Sequence, residues 1–312
     1  MLERSLALDV VRITEASALA SARLMGAGDE AAADAAAVEA MASVFKELAI
    51  AGTVVLGEGT ASSGTLLPSG TKVGQGDIHL DVALDALEGT NICATGGPNA
   101  MSVVAVGMPG SILPVPEVYM EKLAVGPRAR GAIDIARPLE ENLKTVSGAL
   151  GKQISELTVV VLDRPRNREV IESVRRLGAR LRLIGDGDVS SAIATAMEDS
   201  GVDCLVGIGG APQGVLSAVA LKCVGGDFQG RLRFRNPAER EAAVAMGLDD
   251  PDRIMFVDDL ARGEDLLFVA SGVTDGDLLK GVRFVPWAAY AQSLVLALRS
   301  RVIRRIESYH AL

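Results

Sequence analysis

Short runs of apolar, β-branched residues alternate along this chain with segments whose apolar residues recur every three or four positions. Residues 101–106, 157–162 and 204–208 are continuous apolar runs of strand length, whereas residues 168–177 and 189–197 show helical periodicity. A strand that is apolar on both faces must be covered on both faces, and helices commonly do this. The sequence therefore predicts an α/β chain, an α+β layered sandwich in which helix and sheet layers alternate.

Acidic residues stand near the ends of several predicted elements. Asp29 occupies the N-cap position of a predicted Ala-rich helix, which places Asp34 in the second turn of that helix. One predicted strand ends in the turn that contains Glu58, and the next predicted strand ends at Asp85. Three carboxylates are thus held at defined positions by local structure.

Composition excludes several classes of function. The chain has 31 Lys and Arg against 40 Asp and Glu, a net charge of −9, and only 3% aromatic residues, which argues against nucleic-acid binding. Its apolar runs are about six residues long, too short to span a membrane. Three cysteines without CxxC spacing and two histidines leave little material for a disulfide framework, a zinc site or a Ser-His-Asp triad. With no secretory signal at its start, the chain is predicted to be cytoplasmic.

The segment Asp85-Ala86-Leu87-Glu88-Gly89-Thr90 carries the strongest chemical signal. It presents two carboxylates and a hydroxyl, and Mg²⁺ and Mn²⁺ prefer such oxygen ligands while keeping positions for phosphate oxygens and water. Together with Asp34 and Glu58, the segment would hold two cations for a phosphoryl transfer, and Thr90 would orient the attacking water. The alternative is that its two carboxylates only cap the following segment.

The same segment carries a family resemblance, because the pattern D-x-x-D/E-G-T marks the lithium-sensitive, metal-dependent sugar and inositol phosphatases. Further motifs, in matching order over nearly the whole chain, resemble class II fructose-1,6-bisphosphatase. They are Val10-Val11-Arg12-Ile13-Thr14-Glu15, Ala33-Asp34-Ala35-Ala36-Ala37-Val38, Gly57-Glu58-Gly59, Tyr119-Met120-Glu121-Lys122-Leu123, Val125-Gly126-Pro127, Gly207-Ile208-Gly209-Gly210-Ala211-Pro212 and Ile303-Arg304-Arg305-Ile306.

The resemblance implies a sugar-phosphatase-type fold and a cytoplasmic enzyme dependent on Mn²⁺ or Mg²⁺. The implied enzyme removes the 1-phosphate of fructose 1,6-bisphosphate, or acts on a related sugar phosphate, and forms a homo-oligomer, a dimer or tetramer. The implied metal ligands are Asp34, Glu58, Asp85, Glu88 and Gln213. The implied catalytic residues are Thr90, Glu58 and Asp85. The implied substrate-binding residues are Glu88, Gly89, Thr90, Tyr119, Arg164, Pro165, Arg166, Asp186, Gly187, Asp188 and Gly210.

The residues themselves allow more than one interpretation of the substrate site. Arg164 and Arg166 suit bidentate contact with a phosphate that the enzyme retains, and Asp186 and Asp188 offer acceptors for sugar hydroxyls. Structural roles stay open: a solvated face for the arginines, turn and cap positions for the aspartates, and core packing for Tyr119. The joint order of these residues along the chain favours substrate binding.

A concentration of Gly, Pro and Arg at residues 126–137 predicts a boundary between two lobes. Residues 1–125 would form a metal-binding lobe, and residues 126–312 a sugar-phosphate-binding lobe. The two lobes are expected to pack as one compact unit.

Three positions depart from the family pattern. Glu30 stands where a lysine is usual, Ser62 where an aspartate needed for activity is usual, and Gln213 where a glutamate ligand is usual. Glutamine keeps an oxygen donor but loses the charge, and losing a positioned acid or base costs about 10²- to 10⁴-fold in rate. The hypotheses are therefore a working phosphatase or a catalytically weak paralogue that binds a sugar phosphate as a sensor or partner subunit. A phosphatase of another sugar or inositol phosphate is a third hypothesis.

Overall fold

The computed structural model of the protein describes residues 2–59 and 66–311. The chain forms two compact units. The first unit comprises the residues up to Ile112 together with those from Arg262 onward, and the second unit is Leu113–Ala261. Across the described ranges, none of the helices combines the length and the apolar composition needed to traverse a lipid bilayer.

Helices and strands alternate through most of the chain. The helices are α1 (Leu2–Ala22), α2 (Glu30–Phe45), α3 (Thr90–Thr95), α4 (Leu139–Leu150), α5 (Arg168–Leu177), α6 (Asp188–Ala194), α7 (Ala211–Val224), α8 (Pro237–Ala245) and α9 (Val257–Leu260). The strands are β1 (Ile50–Leu56), β2 (Lys72–Val73), β3 (Ile78–Glu88), β4 (Met101–Gly107), β5 (Tyr119–Val125), β6 (Thr158–Leu162), β7 (Arg180–Ile184), β8 (Cys204–Gly210), β9 (Asp227–Arg233), β10 (Met255–Phe256), β11 (Leu266–Gly272), β12 (Arg283–Val285), β13 (Ala288–Ala297) and β14 (Val302–Ala311).

The first unit is built on an eight-stranded sheet in the order β12-β13-β11-β4-β3-β1-β2, with β14 paired to β13. Strands β1 and β3 are parallel, and the other neighbours are antiparallel. Helices α1 and α2 pack together on this sheet. Ile13, Met41 and Phe45 from these helices join Val104 of β4 in one buried core. The packed helices hold Asp34 and the neighbouring strand ends in place.

The second unit contains a six-stranded sheet in the order β10-β9-β5-β8-β6-β7. Strand β6 runs parallel to both β7 and β8, and the other pairs are antiparallel. Helices α4 and α5 contribute Leu143 and Val174 to a core that also contains Val159 and Val161 of β6. The predicted α/β architecture of helix and sheet layers is confirmed in both units.

Local sequence signals placed several elements correctly. The predicted helix at residues 168–177 is α5. Asp29 caps α2 as predicted, because its carboxylate accepts a hydrogen bond from the Ala32 N–H at 2.9 Å. The predicted end of a strand at Asp85 is wrong, since β3 continues to Glu88. The Asp-x-x-Glu segment therefore lies in a strand and not in a turn.

The structure divides the chain differently from the predicted lobes 1–125 and 126–312. Strand β5, which ends at Val125, belongs to the second unit, and the residues from Arg262 onward return to the first. The physical reason is that β11 pairs with β4 along all seven of its residues, from Leu266 opposite Gly107 to Gly272 opposite Met101. Composition near residue 126 carries no information about such a long-range pairing.

Candidate active site

Strand β3 contains a β-bulge within its Asp-x-x-Glu segment. Asp85 lies opposite Val103 of β4, and Glu88 lies opposite Met101, so three steps along β3 match two steps along β4. Val103 and Met101 point to the same face, because side chains alternate along a strand. Directly opposed residues share a face, and the bulge therefore brings Asp85 and Glu88 to one face of the sheet. In a regular strand, residues three apart would point to opposite faces.

The bulged residue Ala86 binds two side chains through its backbone. Its N–H donates to Glu58 Oε1 at 2.7 Å, and its carbonyl accepts from the Ser17 hydroxyl at 2.8 Å. Ser17 is fully buried in α1, and Glu58 is half-buried just after β1. Buried backbone groups without partners are costly, so these two bonds stabilise the bulge. The same bonds fix the Glu58 carboxylate next to the Asp85–Ala86 peptide group.

Helix α2 carries two further acidic residues. Asp34 lies in the second turn, as predicted, and burial raises the pKa of its carboxyl group. A cation bound at Asp34 would offset that burial. Glu30 is the first residue of the helix, and its Oε1 accepts a hydrogen bond from Asn91 Nδ2 at 2.7 Å. Glu30, which departs from the family pattern, thus forms a side-chain contact between α2 and α3.

The chain turns sharply from β3 into α3 at Gly89. Its φ of 88° lies in the left-handed region that glycine adopts without strain. Thr90 follows as the first residue of α3 and is half-buried. Thr90 therefore follows Glu88 by two residues, with the turn at Gly89 between them.

The first unit supplies the type of donor that a hard divalent cation requires. Asp34, Glu58, Asp85 and Glu88 offer carboxylate oxygens, and Glu88 is only 3% exposed. A buried carboxylate needs a compensating charge or hydrogen bonds. Within residues 2–59 and 66–311, no group of three or more His, Cys, Asp or Glu side chains lies close enough together to hold one ion. The residues therefore fit a divalent metal by donor type, and the structure does not gather three of them around one point.

In the second unit, two arginines lie over the ring of Tyr119. The Cζ atom of Arg166 is 4.4 Å from the ring centroid, and that of Arg235 is 5.4 Å from it. Cation–π contacts of this kind hold a guanidinium group in place. Arg235 is also ion-paired, because its Nε donates to Glu239 Oε1 at 2.5 Å. Sequence reasoning predicted Tyr119 and Arg166 but missed Arg235. The sequence feature that could have indicated Arg235 is the alternation of arginines at positions 231, 233 and 235.

The turn that carries the predicted arginines is tied to β8 by Asn167. This fully buried side chain donates from Nδ2 to the Leu162 carbonyl at 3.0 Å and accepts from the Ile208 N–H at 2.7 Å. Arg166 Nε also donates to the Ile208 carbonyl, at 2.9 Å. Arg164, Pro165 and Arg166 therefore stand on a turn that the neighbouring strand holds in position.

Lys122 and Asp188 form a buried ion pair in the second unit. Lys122 Nζ lies 2.6 Å from Asp188 Oδ2, and the two side chains are 1% and 5% exposed. Removing one partner of such a pair is strongly destabilising, because the other charge then stays buried and uncompensated. Sequence reasoning missed Lys122. The signal was available, since Lys122 shares a strand face with Met120 and Ala124, and a cation on a buried face requires a partner.

The predicted N-cap role of Asp188 is wrong. Asp188 is the first residue of α6, and the cap position belongs to Gly187, which has a left-handed φ of 83° and makes no side-chain cap bond. The Asp188 carboxylate is bound to Lys122 instead. Asp186 stands in a bend just before α6, and its Oδ1 accepts from the Gly187 N–H at 3.1 Å.

Two glycines at the end of β8 make room for these side chains. A Cβ atom on Gly209 would overlap Asp188 Oδ2, and one on Gly210 would overlap the Gln213 side-chain oxygen. Gly210 is the N-cap residue of α7, so β8 leads directly into that helix. The Gln213 amide thus folds back over the backbone of Gly210.

Each unit assembles part of the predicted site. The first places Glu58 beside the Asp85–Glu88 segment, and the second groups Tyr119 with Arg166. Ser62 lies outside the described residues. The assignment of these residues to metal and substrate stays a prediction.

Known proteins match this chain over almost its entire length. The profile of the family described as "Bacterial fructose-1,6-bisphosphatase, glpX-encoded" matches residues 4–310. A protein of Synechococcus elongatus named D-fructose 1,6-bisphosphatase class 2/sedoheptulose 1,7-bisphosphatase is 41% identical, over 99% of this chain and 97% of that protein. A protein of the same name from Synechococcus sp. JA-2-3B'a(2-13) is 39% identical, over 99% of this chain and 96% of that protein.

The likeness of this chain to a solved structure is slight in the following case. That structure is an inositol monophosphatase from Anabaena (Nostoc) sp. PCC 7120, with a TM-score of 0.34 and 14% sequence identity. The match covers 63% of this chain and 73% of that one. A likeness this weak carries no argument about the present fold or function.

Replacing Ser17 by Ala should destabilise the bulge. The Ala86 carbonyl would lose its side-chain donor while staying buried, so the free energy of unfolding should fall by about 1–3 kcal/mol in urea titrations. Ser21→Ala is the matched control, because the Ser21 hydroxyl donates to the Ser17 carbonyl within the same helix and its loss should matter little. Equal losses in both variants would contradict the role given to Ser17.

Replacing Lys122 by Met should lower the free energy of unfolding by about 3–5 kcal/mol, because the Asp188 carboxylate would stay buried without its cation. The double variant Lys122→Met with Asp188→Leu should recover part of this loss in the same measurement. Lys144→Met is the control: Lys144 pairs with Glu140 at the surface and should contribute little. A single variant as stable as the unmodified protein would refute the assignment.

Proposed function

The chain belongs to the glpX-encoded bacterial fructose-1,6-bisphosphatase family, and we propose that it releases the 1-phosphate of fructose 1,6-bisphosphate with the residues described above. As a class II fructose-1,6-bisphosphatase it is a metal-dependent phosphoric monoester hydrolase of carbohydrate metabolism. The observation that carries the proposed mechanism is the bulge at Ala86. It presents Asp85 and Glu88 on one face of the sheet and holds Glu58 beside them.

The carboxylates of the first unit are proposed to bind Mn²⁺ or Mg²⁺. Asp34 and Glu58 would hold one ion, and Asp85 and Glu88 the other, with Gln213 as the remaining ligand implied by the resemblance. A bound divalent ion lowers the pKa of water and offsets the charge that develops on phosphoryl oxygens. The raised pKa of Asp34 and the burial of Glu88 support this proposal, because both carboxylates gain from a nearby positive charge.

The chain's own groups are proposed to position the reactants. Thr90 would orient the attacking water through its hydroxyl, which follows directly on the Glu88-Gly89 turn. Glu58 and Asp85 would accept hydrogen bonds from that water and keep it aligned with the phosphorus atom. Alignment of this kind supplies much of the rate in phosphoryl transfer.

The second unit is proposed to bind the sugar and the phosphate that is retained. Arg166, held by Tyr119 and by the Ile208 carbonyl, would donate to phosphate oxygens together with Arg164. Gly210 lies at the start of α7, where backbone N–H groups favour anions, whereas the Gly187 N–H is already bonded to Asp186. Asp186 would accept from sugar hydroxyls, whereas Oδ2 of Asp188 is already bound to Lys122.

The names of the relatives also suggest sedoheptulose 1,7-bisphosphate as a second substrate. We propose in addition a cytoplasmic location and a homo-oligomer, a dimer or tetramer. A binding-only role is the second candidate function. It is favoured by the amide at Gln213 and by the lack, among the described residues, of three side chains grouped around one metal position.

Phosphate release from fructose 1,6-bisphosphate, measured with Mn²⁺, with Mg²⁺ and with a chelator, tests the proposal. Asp85→Ala and Glu88→Ala should each lower the metal-dependent rate by about 10²- to 10⁴-fold. Glu39→Ala removes an exposed carboxylate of α2 and should leave the rate unchanged. Full activity in both site variants would refute the assignment. Sugar-phosphate binding without any release by the unmodified protein would favour the binding-only role.

Gln213→Glu should tighten Mn²⁺ binding, by about ten-fold or more in calorimetry, because a carboxylate adds a charge that the amide lacks. Gln153→Glu makes the same change of charge at an exposed position and should leave the affinity unaltered. If Gln213→Glu left Mn²⁺ affinity unaltered, Gln213 would be excluded as a ligand.

A further inference from the structure

Strand β14 forms an outer edge of the first unit's sheet. All ten of its residues pair with β13, and β11 and β12 pair with the opposite side of β13. Within residues 2–59 and 66–311, no strand pairs with the outward side of β14. That side therefore presents a row of backbone N–H and C=O groups, which is a template for another strand.

The edge lacks three of the usual protections against such pairing, and its charges are Arg304, Arg305 and Glu307. Natural edge strands are commonly short, interrupted by proline or bulged. Strand β14 has ten residues, contains no proline, and pairs with β13 without any shift of register. It is thus a long, regular edge whose conformation is set by its pairing with β13.

One face of β14 is already covered. Ser308 Oγ donates to Glu15 Oε1 at 2.7 Å, His310 Nε2 lies 3.2 Å from Glu15 Oε2, and Arg304 pairs with Glu3. Both glutamates belong to α1. The even-numbered residues therefore face α1, and Ile303, Arg305, Glu307 and Tyr309 share the opposite face.

That opposite face exposes large apolar side chains. Ile303 is 48% exposed and Tyr309 is 60% exposed. Trp287, which is 65% exposed, stacks on Tyr309 with ring centroids 5.5 Å apart. Aromatic side chains exposed beside an open strand edge are typical of a protein–protein interface.

We propose that two copies of this chain associate by pairing β14 with β14, antiparallel, about a two-fold axis at Ile306. In this register Arg305 lies opposite Glu307 of the second copy, and symmetry repeats the pair. Ile303 lies opposite Tyr309 of the second copy, also twice. Opposite charges and apolar pairs directly across an antiparallel ladder are the combinations that stabilise it.

The neighbouring registers disfavour association. An axis at Arg305 or at Arg304 sets two guanidinium groups opposite each other, and an axis at Glu307 sets two carboxylates opposite each other. Each of these contacts is repulsive. Of these four registers, the one about Ile306 is complementary to itself, which favours a second copy over an unrelated partner. This interface deepens the proposed homo-oligomer and does not depend on the catalytic assignment.

Charge reversal on the unmodified background tests the interface. Arg305→Glu creates two facing pairs of carboxylates, and Glu307→Arg creates two facing pairs of guanidinium groups. Sedimentation equilibrium should show self-association weakened by about ten-fold or more in each variant. Arg175→Glu, an exposed change on α5, should leave association unaltered. A monomeric unmodified protein, or two variants that associate as it does, would overturn the proposal.

Mixing the two variants separates this interface from any other effect of the substitutions. A mixed pair sets Glu at position 305 opposite Arg at position 307, and the unchanged Glu307 opposite the unchanged Arg305, so association should recover towards that of the unmodified protein. Failure to recover, with each variant folded, would overturn the proposal. Hydrogen exchange supplies the folding control: amides of β13 should stay protected throughout, whereas those on the outward side of β14 should lose protection in each variant alone and regain it on mixing.

Discussion

The bulge at Ala86 is the constraint on which the acidic part of the site depends. An Asp-x-x-Glu segment in a regular strand would point its two carboxylates to opposite faces, and only the extra residue brings them to the same side. The extra residue also needs partners for its own backbone, and α1 and the end of β1 supply them through Ser17 and Glu58. One irregularity in β3 thus determines how two carboxylates are aimed and where a third is held.

The second unit uses a different physical device. Lys122 and Asp188 are charges placed where water is nearly absent, so each depends on the other. Gly209 leaves the space in which they meet. This arrangement links β5, the start of α6 and the end of β8, the elements that also carry Tyr119, Gly187 and Gly210.

What the sequence predicted correctly was local. Asp29 caps α2 and residues 168–177 form α5 because capping and helical periodicity act over a few residues. The family resemblance, spread over many motifs, was confirmed for the same reason: each motif is short. The bulge, the partner of Lys122 and the contact of Arg235 with Tyr119 depend on residues far apart in the chain. Pairing of β11 with β4 likewise left no trace in composition, which is why the predicted lobe boundary differs from the observed units.

The pairing of β4 with β11 has a consequence for synthesis. Strand β4 is complete once Gly107 has left the ribosome, whereas β11 begins only at Leu266. At about 5–20 residues per second, β4 waits roughly 8–30 s for its neighbour. All seven of its residues are buried in the finished protein. During that interval its unpaired edge and apolar side chains are exposed and can pair with strands of other nascent chains. Translation speed between these two strands therefore governs how long the growing chain is exposed to misassociation.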